Sequence, residues 1–152
     1  MNSNYSLTES VKTAIKIAQA YAKEYRQENF SPAHLLKALI HKDVGLAPFL
    51  NAIGKDTLYI EDWADVRIET YSKSGKVVED PIGDKQVGMT FEEGDNVRVK
   101  LGIHEINPVC LLAALVKPNI AFTADQLKTF PVLEKEILDL YLSDASVANA
   151  VA

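Results

Sequence analysis

The sequence predicts an all-α fold built as a pseudo-twofold duplication. Three observations carry that prediction. First, Phe30-Ser31-Pro32-Ala33-His34-Leu35-Leu36-Lys37-Ala38-Leu39-Ile40 returns as Ile106-Asn107-Pro108-Val109-Cys110-Leu111-Leu112-Ala113-Ala114-Leu115-Val116. A repeat of this kind constrains the architecture before any other feature. Second, both copies open as helix starts. Ser31 and Asn107 are N-cap types, whose side-chain oxygens accept from free backbone N–H groups. Pro32 and Pro108 follow at the first helical position, where the missing N–H costs nothing. Phe30 and Ile106 precede the caps, where an apolar residue staples the turn. Third, both runs are then apolar nearly all round, which places the two helices inside the core.

The chain has 152 residues, 47% of them hydrophobic, enough for one domain with a substantial core. Its net charge of −5 argues against a nucleic-acid surface, which needs clustered Lys and Arg. It argues more weakly against an anionic membrane. Cys110 is the single cysteine, so no intrachain disulfide can form and a reducing compartment is expected. Met1-Asn2-Ser3-Asn4-Tyr5-Ser6 lacks the basic and apolar regions of a signal peptide. No apolar run approaches the roughly 20 residues of a membrane span. The expected location is the cytoplasm.

The first helix is expected to start at Ser6, because Ser6-Leu7-Thr8-Glu9 has capping-box spacing. Leu7, Val11, Ala14, Ala18, Tyr21, Ala22 and Tyr25 share one face, widened at its edges by Ile15 and Ile17. The small residues Ala14, Ala18 and Ala22 allow another helix to pack close. The first repeated stretch follows. His41 and Lys42 close it with cations at the negative end of the helix. A short helix is expected over 45–53, ended by a left-handed Gly54, and Asp56 caps a fourth helix carrying Leu58, Tyr59 and Trp63.

Val66, Ile68 and Thr70 alternate with Arg67, Glu69 and Tyr71, a strand period. Ser72-Lys73-Ser74-Gly75 is turn chemistry and Val77-Val78 a return strand, so a small inserted hairpin is expected near 65–79. Pro81, Gly83 and Gly88 make the next stretch an irregular connection. Thr90-Phe91-Glu92-Glu93 repeats the capping-box spacing and is expected to open the fifth helix. Gly94, Val97 and Leu101 stand at the same offset from Ala18, Tyr21 and Tyr25 as the two repeated stretches do from each other. Pro118-Asn119 is a break, Thr123 caps a short turn through Leu127, and Pro131 opens a last helix with Val132, Leu133, Ile137, Leu138 and Tyr141. This gives repeat one at 6–71, a connection at 72–89 and repeat two at 90–142, together a domain over 1–142. Residues 143–152 are expected to be a tail or the start of a linker.

A long helix, then apolar-Ser-Pro-x-x-Leu-Leu-x-Ala-Leu, then a short helix ending in Ala52-Ile53-Gly54, all repeated once, resembles the N-terminal domain of Clp-type AAA+ unfoldases. The resemblance covers most of 6–142 and is strongest over 30–54 and 106–116. It implies a non-catalytic substrate- or adaptor-recognition domain, tethered above a hexameric ATPase ring and itself monomeric. ATP and Mg are expected only in the parent ATPase modules, and no cofactor in this domain. The chain has no G-x-x-x-x-G-K-[ST] loop, so it is not expected to be the ATPase or an enzyme. General disaggregases, protease-linked unfoldases and ClpV-like type VI secretion motors all carry such a domain. The expected hairpin and the thinner second unit tilt the reading towards the ClpV-like motors, whose partner is a helix of the secretion sheath protein.

The resemblance also places a peptide-accepting groove at the start of the first helix, which puts Tyr5, Leu7, Thr8, Val11 and Ile15 forward as protein-binding residues. Thr8 falls where the family often carries a hydroxyl. From the residues alone, Thr8 and Ile15 lie where the apolar stripe meets the wet face, and a helix in such a groove is read by anchors at i, i+3, i+4 and i+7. Completion of the core is the equally weighted alternative. Acidic family positions near the sixth helix are unmatched, since Val109 stands there.

His34 and Cys110 occupy the same place in the two copies. A metal pair or Cys–His nucleophile is one reading. Core filling is favoured, because two ligands are too few for a typical zinc site and a nucleophile needs an oriented base. Asp62, Asp65, Glu69, Glu79, Asp80, Asp84, Glu92, Glu93 and Asp95 make the middle acidic; a solvated face is favoured there over paired catalytic carboxylates. A freestanding regulatory domain holding a small apolar ligand between its repeats is the remaining alternative, and needs a cavity between the two buried helices.

Overall fold

The two repeated stretches become the two central helices, each preceded by a longer helix and followed by two outer ones, with one further short helix at the end of the second unit. The computed structural model describes residues 5–151. The expectations on residues 1–4 and on Ala152 lie outside the described residues. In chain order the elements are α1 (Glu9–Glu24), β1 (Asn29–Phe30), α2 (Pro32–Ile40), α3 (Ala47–Ala52), α4 (Thr57–Thr70), β2 (Ile82–Gly83), α5 (Lys85–Leu101), α6 (Pro108–Leu115), α7 (Ala124–Leu127), α8 (Glu134–Ser143) and α9 (Ala145–Ala150).

The duplication is metrical. A spacing of 76 residues separates Glu9 from Lys85 and Pro32 from Pro108, the first residues of matching helices. The spacing grows to 77 from Ala47 to Ala124 and from Thr57 to Glu134. The second unit therefore holds one extra residue between α6 and α7. Its short helix is also reduced: α3 buries Phe49 and Leu50, whereas α7 buries nothing.

The two units are clasped together by crossed backbone pairing. Leu7, just ahead of α1, pairs in parallel with Ile106, just ahead of α6. Gly83, just ahead of α5, pairs in parallel with Phe30, just ahead of α2. The second pairing is the first with its members exchanged between units. The hydrogen bonds correspond: Thr8 N donates to Ile106 O at 3.1 Å, and Asp84 N to Phe30 O at 3.1 Å.

Leu35, Leu36, Leu111 and Leu112 are all inaccessible, as their all-round apolar helices require. Every residue of α6 is buried, and each buried Leu contributes about 1.5–3 kcal/mol. Gly94 lets α5 close on α6, since a Cβ there would stand 3.1 Å from Leu111 Cδ2. Trp63 joins the units, packing edge-on against Phe122 and Phe130 at 4.9 and 4.8 Å between ring centres. Its indole N–H donates to Thr129 Oγ1 at 2.9 Å.

Several local expectations are corrected. The hairpin near 65–79 is absent: Val66, Ile68 and Thr70 belong to α4, and 72–81 carries no strand. The buried positions of α4 are Ile60, Trp63, Ala64 and Ile68, a helical spacing that outlasts the short alternation. Helix one is capped by Thr8, not Ser6. Ser6 instead gives its carbonyl to Ile106 N at 2.9 Å, so the clasp holds it in extended backbone. Helix five begins after Asp84, whose side chain accepts from Val87 N at 2.9 Å; the expected cap Thr90 is buried inside it. Its capping-box partner Glu93 is engaged by Lys117. The last long helix is capped at Leu133, which is exposed, with Glu136 Oε1 accepting from its N–H at 3.0 Å. Asp144 caps a further helix, α9, after which Val151 is buried.

Candidate recognition pocket at the start of helix one

Thr8 is fixed from two directions. Its hydroxyl accepts from Val11 N at 3.3 Å and lies 3.0 Å from Ser10 Oγ. Its own N–H is held by Ile106 of the other unit. The crossed pairing thus carries Thr8 to the start of α6, where an open pocket of about 220 Å³ is lined by Thr8, Ile103, His104, Glu105, Asn107 and Tyr141. Asn107 is equally fixed: Oδ1 accepts from Cys110 N at 3.0 Å and Nδ2 donates to the Tyr141 hydroxyl at 3.2 Å.

The other residues put forward at the start of α1 divide. Leu7 is half-buried beside Thr8 in the bridge to Ile106. Tyr5 is half-buried with its ring stacked over Phe91 at 6.5 Å; burial, and then the charges of Glu92 and Asp95, push its hydroxyl pKa up. Ile15 is half-buried against the core. Val11 is inaccessible and belongs to the core, so it has no surface to offer a partner. Ile103, His104, Glu105, Asn107 and Tyr141 were not put forward for this site. Asn107 and Tyr141 were legible as cap and helix face. Their meeting with Thr8 depends on the crossed pairing, which periodicity does not reveal.

The duplication repeats the pocket. A second one, of about 480 Å³, is lined by Gln27, Glu28, Asn29, Ser31 and Asp84 together with residues 70–74. These five positions stand 76 residues from Ile103, His104, Glu105, Asn107 and Thr8. Each pocket therefore opens where two helix N-caps meet. Behind the second one, His34 Nδ1 accepts from Ser31 N at 2.9 Å. The ring proton then sits on Nε2, which donates to Gln27 Oε1 at 2.6 Å. Gln27 Nε2 donates in turn to Ile68 O at 3.0 Å. Burial, with a smaller contribution from the Lys37 charge, pushes the His34 pKa down to about 4.

This network decides the reading of His34 and Cys110. Both His34 nitrogens are engaged and the residue is inaccessible. Cys110 is inaccessible as well, and burial pushes its thiol up to about 11. Neither is presented for catalysis or metal binding. Among the described residues, no group of three or more His, Cys, Asp and Glu is arranged to hold a metal ion. Several acidic residues of the middle are structural: Asp84 is a cap, Asp65 pairs with Lys37 at 2.8 Å and Asp95 with Arg98 at 2.7 Å. A further open groove, of about 640 Å³, runs beside α5 past Met89, Ile120 and Phe122. No helix of the described residues is long and apolar enough to cross a membrane.

Residues 6–130 match the profile of the Clp repeat N-terminal domain. The chain belongs to that family. The fold agrees. The N-terminal domain of Hsp104 from Candida albicans superposes with a TM-score of 0.73 at 15% identity, covering 92% of this chain and 93% of that one. The N-domain of ClpV from Vibrio cholerae superposes with a TM-score of 0.75 at 17% identity, covering 97% and 87%. A ClpV N-domain in complex with a VipB peptide gives 0.70 at 18% identity, covering 97% and 89%. No curated protein sequence matches the chain. The Clp repeat thus accounts for the duplicated helices.

Proposed function

We propose that this Clp N-domain is a non-catalytic recognition module of an AAA+ unfoldase, binding protein segments in the Thr8 pocket for delivery to the ATPase ring. The observation that carries the reading is the pocket itself. It is open, it is built at the meeting of the two units, and the helix N-caps Thr8 and Asn107 in its walls are held by capping and inter-unit hydrogen bonds, with the α5–α6 loop at 103–105 completing it. A preformed site of this kind binds with little ordering cost. The ClpV N-domain that holds a VipB peptide has this fold, which supports a sheath-protein helix of type VI secretion as the first partner to test. An unfolded substrate, as for a disaggregase or protease-linked unfoldase, is the alternative. On this reading the domain works in the cytoplasm as a monomeric unit of a hexameric parent, and ATP and Mg are held elsewhere in that parent. The net charge of −5 accords with protein rather than nucleic acid or membrane partners.

The test is titration of a fluorescent VipB peptide, and separately of a reduced, carboxymethylated unfolded protein, onto the isolated domain. Saturable binding to one of them is expected, weakened at least tenfold by Thr8→Trp, which fills the pocket. Absence of saturable binding to both would overturn the proposal.

A further inference from the structure

We infer that Tyr141 determines specificity in the Thr8 pocket, by donating a hydrogen bond from its hydroxyl to a neutral carbonyl of the bound segment. The inference rests on the recognition reading above and names the atom that reads the partner.

Tyr141 reaches the pocket from α8, far along the chain from Thr8. Its oxygen accepts from Asn107 Nδ2 at 3.2 Å. A phenol also carries one proton to donate, and among the described residues no acceptor takes it. The Thr8 hydroxyl, by contrast, is tied to its own helix start, accepting from Val11 N and sharing a proton with Ser10 Oγ. Asn107 cannot turn away, because its Oδ1 caps α6 at Cys110 N. Tyr141 is therefore a side-chain donor left free in the pocket and, unlike the exposed His104 on the neighbouring loop, it is held in place by a fixed neighbour. Glu105 lines the same pocket. A carboxylate ligand would meet its negative charge, so the acceptor that fits is an uncharged carbonyl, as in a peptide backbone.

The second pocket reaches a similar arrangement by another route. Tyr71 follows α4, lines that pocket, and its oxygen accepts from Ala33 N at 3.4 Å, at the start of α2. Tyr141 does not correspond to Tyr71 in the repeat; the spacing of 77 between α4 and α8 matches it with Ala64. The two tyrosines are thus not a shared inheritance of the duplication. Each unit's outer helix has placed a phenol against the start of its central helix independently.

Tyr141→Phe keeps the ring and removes the O–H alone. The expected result is a Kd for the VipB peptide, or for a peptide from whichever probe binds, raised about five- to tenfold. The second measurement uses peptides in which single backbone amides are replaced by esters, each weakening one carbonyl. One ester position is expected to lose affinity for the wild-type domain and to lose none further for Tyr141→Phe. General loosening of the pocket would affect every ester peptide alike, so it cannot mimic that pattern. Equal binding by wild type and Tyr141→Phe, with Thr8→Trp still impaired, would overturn this inference and leave the recognition reading standing. Unchanged binding in both variants, or no binding by any probe, would remove both.

Discussion

Gly83 lies against the ring of Phe30: a Cβ at Gly83 would stand 3.2 Å from Phe30 Cζ and 3.0 Å from Val87 Cγ1. In the matching pair, Leu7 faces Ile106. The two clasps are filled differently, with an aromatic ring opposite no side chain in one and two aliphatic side chains of equal size in the other. Gly83→Ala overpacks the first clasp and should destabilise by about 1–3 kcal/mol, lowering Tm by roughly 3–10 °C. Gly83→Leu with Phe30→Ile reproduces the chemistry of the second clasp. The double variant should be more stable than the sum of the single changes, read as a coupling above about 0.5 kcal/mol in a urea-denaturation cycle.

His34 makes stability depend on pH. Its folded pKa of about 4 lies below the unfolded value of about 6.5. The unfolded chain therefore binds the extra proton between these values, and stability falls as pH drops through that window. The His34 contribution is present above pH 6.5 and declines towards pH 4. The loss from neutrality to pH 5 should be about 2 kcal/mol, measured by urea unfolding at the two pH values. An NMR titration giving His34 a pKa near 6.5 would refute the network described here.

Cys110 should be inert in the native state, because only the thiolate reacts and burial pushes its pKa to about 11. Reaction with a disulfide reagent at pH 7.5 should be slow in buffer and complete within minutes in denaturant. Rapid native labelling would mean that α6 is not buried as described.

Trp63 is the single tryptophan, and it lies between the units against Phe122 and Phe130. Trp63→Ala should cost about 3–5 kcal/mol. In the wild-type domain its fluorescence should change at the same denaturant concentration as the helical circular dichroism, because the clasp ties both units into one transition. A separate earlier fluorescence step would show that the units come apart first.

Legibility in the sequence followed the range of the physics involved. The duplicated helices, the side-chain caps at Asn107, Asp56 and Thr123, and the left-handed Gly54 rest on neighbours within a turn and are legible. Ser31 is the N-cap of α2 as expected, but its own N–H is taken by His34 and its side chain makes no capping bond. The starts of α1 and α5 were misread because Ser6-x-x-Glu9 and Thr90-x-x-Glu93 have the right local spacing. Long-range contacts claim those residues instead: Ser6 is held by Ile106 and Glu93 by Lys117. The alternation over 66–71 points to a hairpin, but it is short, and the helical spacing of Ile60, Trp63, Ala64 and Ile68 around it decides the backbone. The pocket was half legible, because Thr8 stands at the edge of its own helix while the opposite wall comes from the other unit.

Crossed pairing also bears on how such a chain can arise. Two separate copies of one unit, each extending its leading segment to the other, would form the same clasp as a homodimer with exchanged arms. Joining those partners through a stretch like 72–81 would yield one polypeptide with both exchanges intact. Cutting that stretch in the present protein should accordingly leave two fragments still hooked together, whereas either fragment made alone would lack the arm its neighbour provides.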